Sequence, residues 1–254
     1  MNRREVFERA AELERARLPF ALATVVKRFA PVSSHLGDRA IVLADGRMEG
    51  FVGGSCARDI VRREALDAVR TGDARLVEVR ESCASEGAVD VYVEPHLPAR
   101  TLVIAGNTPV AAELARIGSL LEGYRVVRVV EAAEFHEVGD AQERTVTLDA
   151  LADFIAGIAA EDRARLVAVV ASQGHYDESA LEVLLGGNPA YVGLLASAKR
   201  AAHVRGMLEQ RGMPPERSAV LRAPAGFDIG ARKPGEVAVS ILAEIIQAVA
   251  AERP

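Results

Sequence analysis

"TLVIAGNTPVAAELARIG" (residues 101–118) decides the fold class, because an apolar run passes through a short turn into a helical segment. The first part, "TLVIAG", is continuously apolar, which is typical of a strand buried on both faces of a parallel sheet. The second part has a proline near its first turn and runs on to Gly123, as a helix with normal start and stop signals does. "YRVVRVVE" (124–131) then predicts another strand. A strand, a helix and a strand in this order predict a parallel α/β sheet.

The same alternation continues through the rest of the sequence. Further strands are predicted at "RLVAVVAS" and "AYVGLLA", and further helices at "ALADFIAGIA", "ESALEVLLGG", "AKRAAHVRGMLEQRG" and "KPGEVAVSILAEIIQAVAAE". This pattern predicts a Rossmann-like doubly wound parallel sheet as a C-terminal domain over residues 100–254.

The N-terminal part mixes strands with a helix in a different order. Strands are predicted at "FALATVVKRFAP", on both sides of the Asp45-Gly46 turn, at "ARLVEVRE" and at "AVDVYVEP". A helix begins near Ser55, and its apolar residues at helical spacing are Val61, Ala65, Ala68 and Val69. We therefore expect an N-terminal α+β domain over residues 1–95. "PHLPAR" (95–100) carries two prolines and no periodicity, which predicts a short, stiff linker.

The composition excludes several classes of protein. The net charge of −5 predicts neither nucleic-acid binding nor attraction to a membrane surface. The first 20 residues read as a charged helix without the apolar core of a signal peptide, and no stretch looks long and apolar enough to span a bilayer. Two cysteines are too few for a disulfide framework, so reduced thiols are expected. Together these features predict a cytoplasmic protein.

The first strand-to-helix turn of the predicted sheet is the place where a nucleotide phosphate would bind. It reads Gly106-Asn107-Thr108, so the second glycine of a dinucleotide fingerprint is replaced, and the following Pro109 removes an amide donor. Glu131 ends the second strand, where its carboxylate can accept a hydrogen bond from a ribose hydroxyl. A nucleotide is therefore a candidate ligand, and an NAD(P)-dependent oxidoreductase is one candidate function.

"GGSC" at residues 53–56 is the sharper motif. If Ser55 is the N-cap of the helix, Cys56 is its first residue and lies beside unsatisfied amides, where a thiolate is favoured. A thiolate binds soft metals or attacks electrophiles, and Arg58 can add positive charge nearby. The alternative is that Cys56 is a small buried residue without chemistry, as many reduced cysteines are.

Other polar residues carry weaker signals. Cys83 is either a second soft ligand or loop packing, because two thiols without histidines at ligand spacing do not make a zinc site. His175 and Asp177 follow a strand at its carboxyl end, where ligands bind in such sheets. Asp177 can equally be the N-cap of the next helix.

Three stretches together resemble the xanthine dehydrogenase accessory protein family of the XdhC/CoxI type. They are "VGGSCARDIVRREAL", "SCASEGAVDVYVEP" and the C-terminal pair "AYVGLLASAKRAAHV" with "RAPAGFDIGARKPGEVAVSILAEII". The resemblance implies an accessory protein rather than an enzyme. It implies a chaperone that binds the molybdenum cofactor as molybdopterin or its cytosine dinucleotide form and supports sulfuration of the cofactor. The expected partners are a cysteine desulfurase and an apo molybdenum hydroxylase, such as xanthine or carbon monoxide dehydrogenase.

The resemblance also assigns candidate cofactor-binding residues. Cys56 aligns with the family's functional cysteine and becomes the expected metal ligand, with Gly53, Gly54 and Ser55 forming its turn. Ser33 and Ser34 offer hydroxyls to a phosphate or to the pterin. The segment "FDIGARKPGE" suggests a further candidate apart from the resemblance: its glycines give it conformational freedom, so Asp228 can contact the cofactor, unless the segment only caps the last helix.

Three functions remain open at this point: the cofactor chaperone, the oxidoreductase, and a scaffold that joins the desulfurase to its target without holding cofactor. A homodimer is a candidate assembly, because dimers are the commonest oligomers.

Overall fold

A computed structural model describes residues 1–80, 87–136, 138 and 144–251. The chain divides into one unit formed by Met1–Pro98 and another that begins at Ala99. The first unit contains α1 (Arg3–Arg15), β1 (Phe20–Phe29), β2 (Arg39–Leu43), β3 (Met48–Gly50), α2 (Ser55–Thr71), β4 (Arg75–Val79) and β5 (Ala88–His96). The second contains β6 (Arg100–Ala105), α3 (Pro109–Gly118), β7 (Tyr124–Val130), β8 (Arg144–Thr147), α4 (Leu151–Ala156), α5 (Ala160–Arg163), β9 (Leu166–Val170), α6 (Asp177–Gly186), β10 (Tyr191–Leu194), α7 (Ala198–Gln210), α8 (Pro215–Ala219) and α9 (Pro234–Ala251).

The first unit is a five-stranded antiparallel sheet of order β3-β2-β1-β5-β4 with helices on both faces. Alternate residues of the strands point to one face, so Ala21, Ala23 and Val25 of β1 all bury against α2. The facing stripe of α2 is buried as its periodicity predicted, at Val61, Ala65 and Ala68. On the other face α1 buries a smaller cluster, made of Val6, Leu13, Phe20, Ile41 and Leu43.

The second unit is a parallel five-stranded sheet of order β10-β9-β6-β7-β8. Its central strand β6 is buried on both faces, because α3 and α9 cover one face while α4, α6 and α7 cover the other. The prediction of an α+β domain followed by a doubly wound Rossmann-like sheet is therefore confirmed. Strand β8 was missed by the sequence reasoning, because it has only four residues and only Val146 is buried.

The predicted linker is shorter than expected. Pro95 and His96 belong to β5 and Arg100 already begins β6, so only residues 97–99 lie between the two strands. Pro95 fits in a strand because it lies beyond the part of β5 that pairs with β4, and its missing amide leaves no gap in a second ladder.

The expectation that no segment is long and apolar enough to cross a membrane was wrong for α9. This helix has 18 residues with a mean hydropathy of 1.4 and passes that test by length and composition alone. One side of α9 is packed in the core of the second unit, at Ala238, Ile241 and Ile245. Because core helices pass the same test, this single helix is a weak indication of a membrane span.

Candidate functional site

The cysteine turn leads from β3 into α2. Gly54, not Ser55, is the N-cap: its backbone is extended, and its carbonyl accepts the first helical hydrogen bond from the Arg58 amide at 3.0 Å. Ser55 is therefore the first residue of the helix and Cys56 the second. Ser55 is exposed, Cys56 is partly exposed, and Gly54 supplies no side-chain cap to the first turn. The thiol thus lies in the first turn, one position further along than the sequence suggested.

Gly53 is required for the shape of this turn. Its φ of +145° lies in a region that other residues rarely adopt. A Cβ at this position would approach the Cβ of Ala57 to 2.9 Å and the Oγ of Ser34 to 3.1 Å. The motif therefore needs a glycine here so that α2 can begin directly against the loop that follows β1.

Ser34 holds this turn in place. Its side chain is 1% exposed, and its hydroxyl donates to the carbonyl oxygen of Val52 at 3.1 Å. Arg28 in turn donates to the carbonyl oxygen of Ser34 at 3.3 Å. The Ser34 hydroxyl therefore donates its proton to a hydrogen bond within the protein, whereas the neighbouring Ser33 is exposed.

The turn between β6 and α3 is closed: it packs tightly against the end of β9, and the amide of Ala111 in its helix is already hydrogen-bonded within the protein. A Cβ on Gly106 would lie 2.3 Å from the carbonyl oxygen of Ala171, so this glycine permits close approach of the turn to the end of β9. Thr108 is the N-cap of α3: its hydroxyl accepts from the Ala111 amide at 3.2 Å and donates to the Ala171 oxygen at 2.9 Å. Asn107 is half-buried between these two residues. A helix amide that would face a pyrophosphate is thus already bonded to Thr108.

Glu131 follows β7 and its side chain is exposed, but its neighbours carry the buried interactions. The Glu131 amide donates to the carboxylate of Glu134, which also accepts from the Tyr176 hydroxyl at 3.1 Å. Burial, and then the Glu134 carboxylate, raise the pKa of Tyr176 well above its usual range. Arg128 is buried within β7, and its guanidinium donates to the Gly106 carbonyl oxygen at 2.8 Å. Sequence reasoning missed Arg128, although an arginine between the valines of a predicted buried strand was a signal.

The loop after β9 is held by a buried carboxylate. Asp177 is 1% exposed; it accepts from the Ser172 hydroxyl and, at 3.1 Å, from the Arg200 guanidinium, which also donates to Glu178. Asp177 is the first residue of α6 and makes no N-cap bond, so that alternative was wrong. His175, two residues before Asp177, is exposed.

Asp228 is exposed, and its carboxylate accepts from the Gly230 amide at 3.3 Å. The start of its segment is fixed by Glu244 of α9, which accepts from the Gly226 amide at 2.6 Å and from the Tyr191 hydroxyl at 2.7 Å. At the other end, Glu236 accepts from two backbone amides that precede α9, and these bonds lower its pKa. The segment therefore caps α9, and Asp228 remains an exposed candidate contact.

The structure brings the candidate residues together in two groups. Gly53, Gly54, Ser55, Cys56 and Ser34 meet at the start of α2, and the exposed Ser33 is next to Ser34 in the chain. Residues 106–108, 131 and 175 follow the carboxyl ends of parallel strands in the second unit. Cys83 lies outside the described residues. Within the described ranges no group of three or more His, Cys, Asp or Glu residues could hold a metal ion, so Cys56 has no protein-based metal cluster around it there.

Fold and site define a class of protein: an α+β unit with a thiol at a helix start, followed by a Rossmann-type unit whose phosphate turn is capped by a threonine. The chain belongs to the XdhC and CoxI family. The model of the XdhC Rossmann domain matches residues 102–245, and that of the XdhC and CoxI family matches residues 13–80.

Two individual proteins are also similar to this chain. "Uncharacterized protein YqeB" of Escherichia coli is 30% identical over 250 residues, which are 95% of this chain but only 46% of YqeB. The chain therefore spans about half the length of this curated relative. A crystal structure described as a xanthine dehydrogenase from Bacillus halodurans is 19% identical, with a TM-score of 0.49 over 99% of this chain and 96% of that one.

Proposed function

We propose that this protein is a maturation factor for a xanthine-dehydrogenase-type enzyme and that it carries the molybdenum cofactor as its cargo. Membership of the XdhC and CoxI family supports the maturation role. The single observation that carries the cofactor proposal is the partly exposed Cys56 in the first turn of a 17-residue helix, after a glycine pair.

The residues of this turn fit such a cargo chemically. As a thiolate, Cys56 would be a soft ligand of the kind that a dithiolene-bound molybdenum accepts. The start of α2 favours negative charge, and the exposed Ser55 hydroxyl lies one residue away. A Cβ on Gly54 would have no neighbour within 4 Å, so the approach to this turn is open. When bound, the cofactor supplies redox chemistry to its final enzyme; the role of this chain is to bind and shield it.

The second unit favours the chaperone over the NAD(P)-dependent oxidoreductase. An oxidoreductase needs the pyrophosphate of its cofactor on the first helix of the sheet. Thr108 occupies the amide of Ala111 there, and Pro109 has no amide to donate. We propose that the exposed Glu131, His175 and Asp228 contact a nucleotide bound to the second unit, without hydride transfer.

The proposed partners are an apo molybdenum hydroxylase and a cysteine desulfurase that sulfurates the bound cofactor, in the cytoplasm. A homodimer is the assembly we propose for the carrier. A scaffold that joins the two enzymes would need neither Cys56 nor cofactor, which makes cofactor content the deciding measurement.

The test uses protein co-expressed with the cofactor synthesis pathway. Cys56→Ser keeps the size of a partly exposed side chain and removes the soft ligand, so we expect an unchanged unfolding temperature and loss of bound cofactor. Molybdenum content and the fluorescence of released, oxidised pterin report the cofactor directly. Cys83→Ser tests the second thiol in the same assay: retention of cofactor would make Cys83 dispensable, and loss would make it a second soft ligand. Equal retention in wild type and Cys56→Ser would refute Cys56 as the ligand, and no cofactor in the wild type would favour the scaffold.

A further inference from the structure

A cavity of about 410 Å³ lies in the first unit, between the β2–β3 turn and the first two turns of α2. Its volume is in the range of small-molecule sites, which are about 300–1,000 Å³. The lining residues are Asp45, Gly46, Arg47, Met48, Ser55, Arg58, Asp59 and Arg62. Ser55 precedes Cys56 and Arg58 follows it by two positions, so the cavity adjoins the proposed carrier turn. Of the candidate cofactor-binding residues, only Ser55 lines it.

The charges of the cavity wall are unequal. Arg47 bonds to Asp45 at 2.6 Å, and Arg62 bonds to Asp59 at 2.8 Å, so two of the guanidinium groups are paired with the two carboxylates. For Arg58 the described part of the chain offers no hydrogen bond or ion pair from the side chain. The cavity therefore has one positive charge in excess, on a residue that lies one helical turn after Ser55.

This arrangement suits one class of ligand. A guanidinium group donates two parallel hydrogen bonds to phosphate or carboxylate oxygens, and the Ser55 hydroxyl can donate another. The charges of Arg47 and Arg62 are balanced by Asp45 and Asp59, so the excess positive charge of the wall is that of Arg58. The wall also includes Met48, whose side chain is apolar and adaptable. A ligand with an oxyanion and a less polar body fits this combination better than a cation or a purely apolar molecule.

We propose that this cavity is a binding site for a phosphate monoester group, with Arg58 as its principal contact and Ser55 as a second. The proposal rests on the proposed function, since it places the phosphate end of the cargo next to Cys56, and it names the group recognised. Arg58 then has a role separate from the thiol: it binds the phosphate while Cys56 binds the metal.

The experiment measures the binding of inorganic phosphate and pyrophosphate to the 254-residue chain without cofactor. Amide and arginine side-chain NMR shifts report binding, and Arg58→Gln is compared with wild type. Arg63→Gln is the matched control, because Arg63 is exposed on the same helix, bonds to Glu64 and does not line the cavity. Arg58→Lys keeps the charge without the two-pronged donor and tests the geometry. Thermal unfolding of all four proteins checks that they are folded.

We expect phosphate-dependent shifts at Ser55, Arg58 and Arg62, and an affinity that Arg58→Gln lowers by roughly tenfold or more. Arg63→Gln should bind like wild type, and Arg58→Lys should lie between the two. Added salt should weaken binding in wild type, because the site is open to solvent. Shifts spread over many surface arginines, or equal affinity in Arg58→Gln and wild type, would overturn the proposal.

The outcome for this cavity can be separated from the outcome for the carrier function. If wild type retains cofactor through Cys56 but Arg58→Gln binds phosphate as tightly as wild type does, the cavity proposal fails and the carrier function stands. If phosphate depends on Arg58 but no cofactor is retained, the cavity is an anion site and the carrier function fails.

Discussion

The closed Rossmann turn makes a strong prediction about Gly106→Ala. Gly106 has a φ of +140°, and a Cβ there would lie 2.3 Å from the carbonyl oxygen of Ala171 and 2.9 Å from the amide nitrogen of Ser172. Both atoms belong to the backbone that continues β9, so they cannot move aside as a flexible side chain would. The substitution must therefore separate the turn from β9 or distort both.

Two terms contribute to the cost. A non-glycine residue in this region of φ costs roughly 1–3 kcal/mol. Relieving an overlap inside a packed core costs about 1–3 kcal/mol more. We therefore expect Gly106→Ala to destabilise the second unit by about 2–6 kcal/mol, a large part of the roughly 5–15 kcal/mol that holds an ordinary domain together.

Gly123→Ala provides the matched control. Gly123 also has a positive φ, of +78°, but a Cβ on it would have no neighbour within 4 Å. Gly123→Ala should therefore lower the free energy of unfolding only by the cost of the backbone conformation, about 1–2 kcal/mol. Calorimetry and denaturant unfolding give the two losses, and hydrogen exchange of β6, β9 and α3 shows that the second unit is the part affected. The difference between the variants isolates the steric overlap.

The prediction separates two roles for Gly106. If the glycine serves the approach of the turn to β9, Gly106→Ala is much less stable than Gly123→Ala whether or not a nucleotide is present. If it serves the approach of a pyrophosphate, Gly106→Ala keeps its stability and loses stabilisation by added ADP or CDP. Equal losses in the two variants would refute the steric reasoning.

Two further predictions concern residues with buried hydrogen bonds. Burial and then Glu244 raise the pKa of Tyr191. The pKa of tyrosine in the unfolded chain is about 10, so the contribution of Tyr191 to stability is fully present below that pH. The contribution is lost as the pH rises further, because only the unfolded state then ionises. The stability gap between wild type and Tyr191→Phe, from denaturant unfolding, should therefore be constant near neutral pH and narrow above about pH 10; a gap that stays constant would contradict this. Ser34→Ala removes the bond to the Val52 carbonyl and should cost about 1 kcal/mol in the first unit while cofactor retained per folded molecule is unchanged. Ser33→Ala is its control, and a loss of cofactor confined to folded Ser34→Ala would make the Ser34 hydroxyl a ligand.

Periodicity within single segments predicted much of the fold. The apolar run at residues 101–106 predicted a central strand, and the spacing of Val61, Ala65 and Ala68 predicted the buried face of α2. Such patterns can be read from sequence because a strand or helix repeats its direction every two or every 3.6 residues, so neighbours in the chain reveal the buried side. The same local information identified the GGSC turn, since a glycine pair, a serine and a cysteine at a helix start are adjacent in the chain.

The roles of individual polar residues required the tertiary structure, because they depend on atoms that are distant in sequence. Thr108 and Gly106 are understood only beside the Ala171 carbonyl, more than 60 residues later. The role of the Ser34 hydroxyl follows from its hydrogen bond to the Val52 carbonyl oxygen. Arg58 lines a cavity only because the β2–β3 turn forms the opposite wall. The sequence by itself determined the fold class, the family resemblance and the thiol at a helix start. Only the tertiary structure decided which hydroxyls and amides are already bonded within the protein, because a hydrogen bond depends on distances that local sequence patterns do not encode.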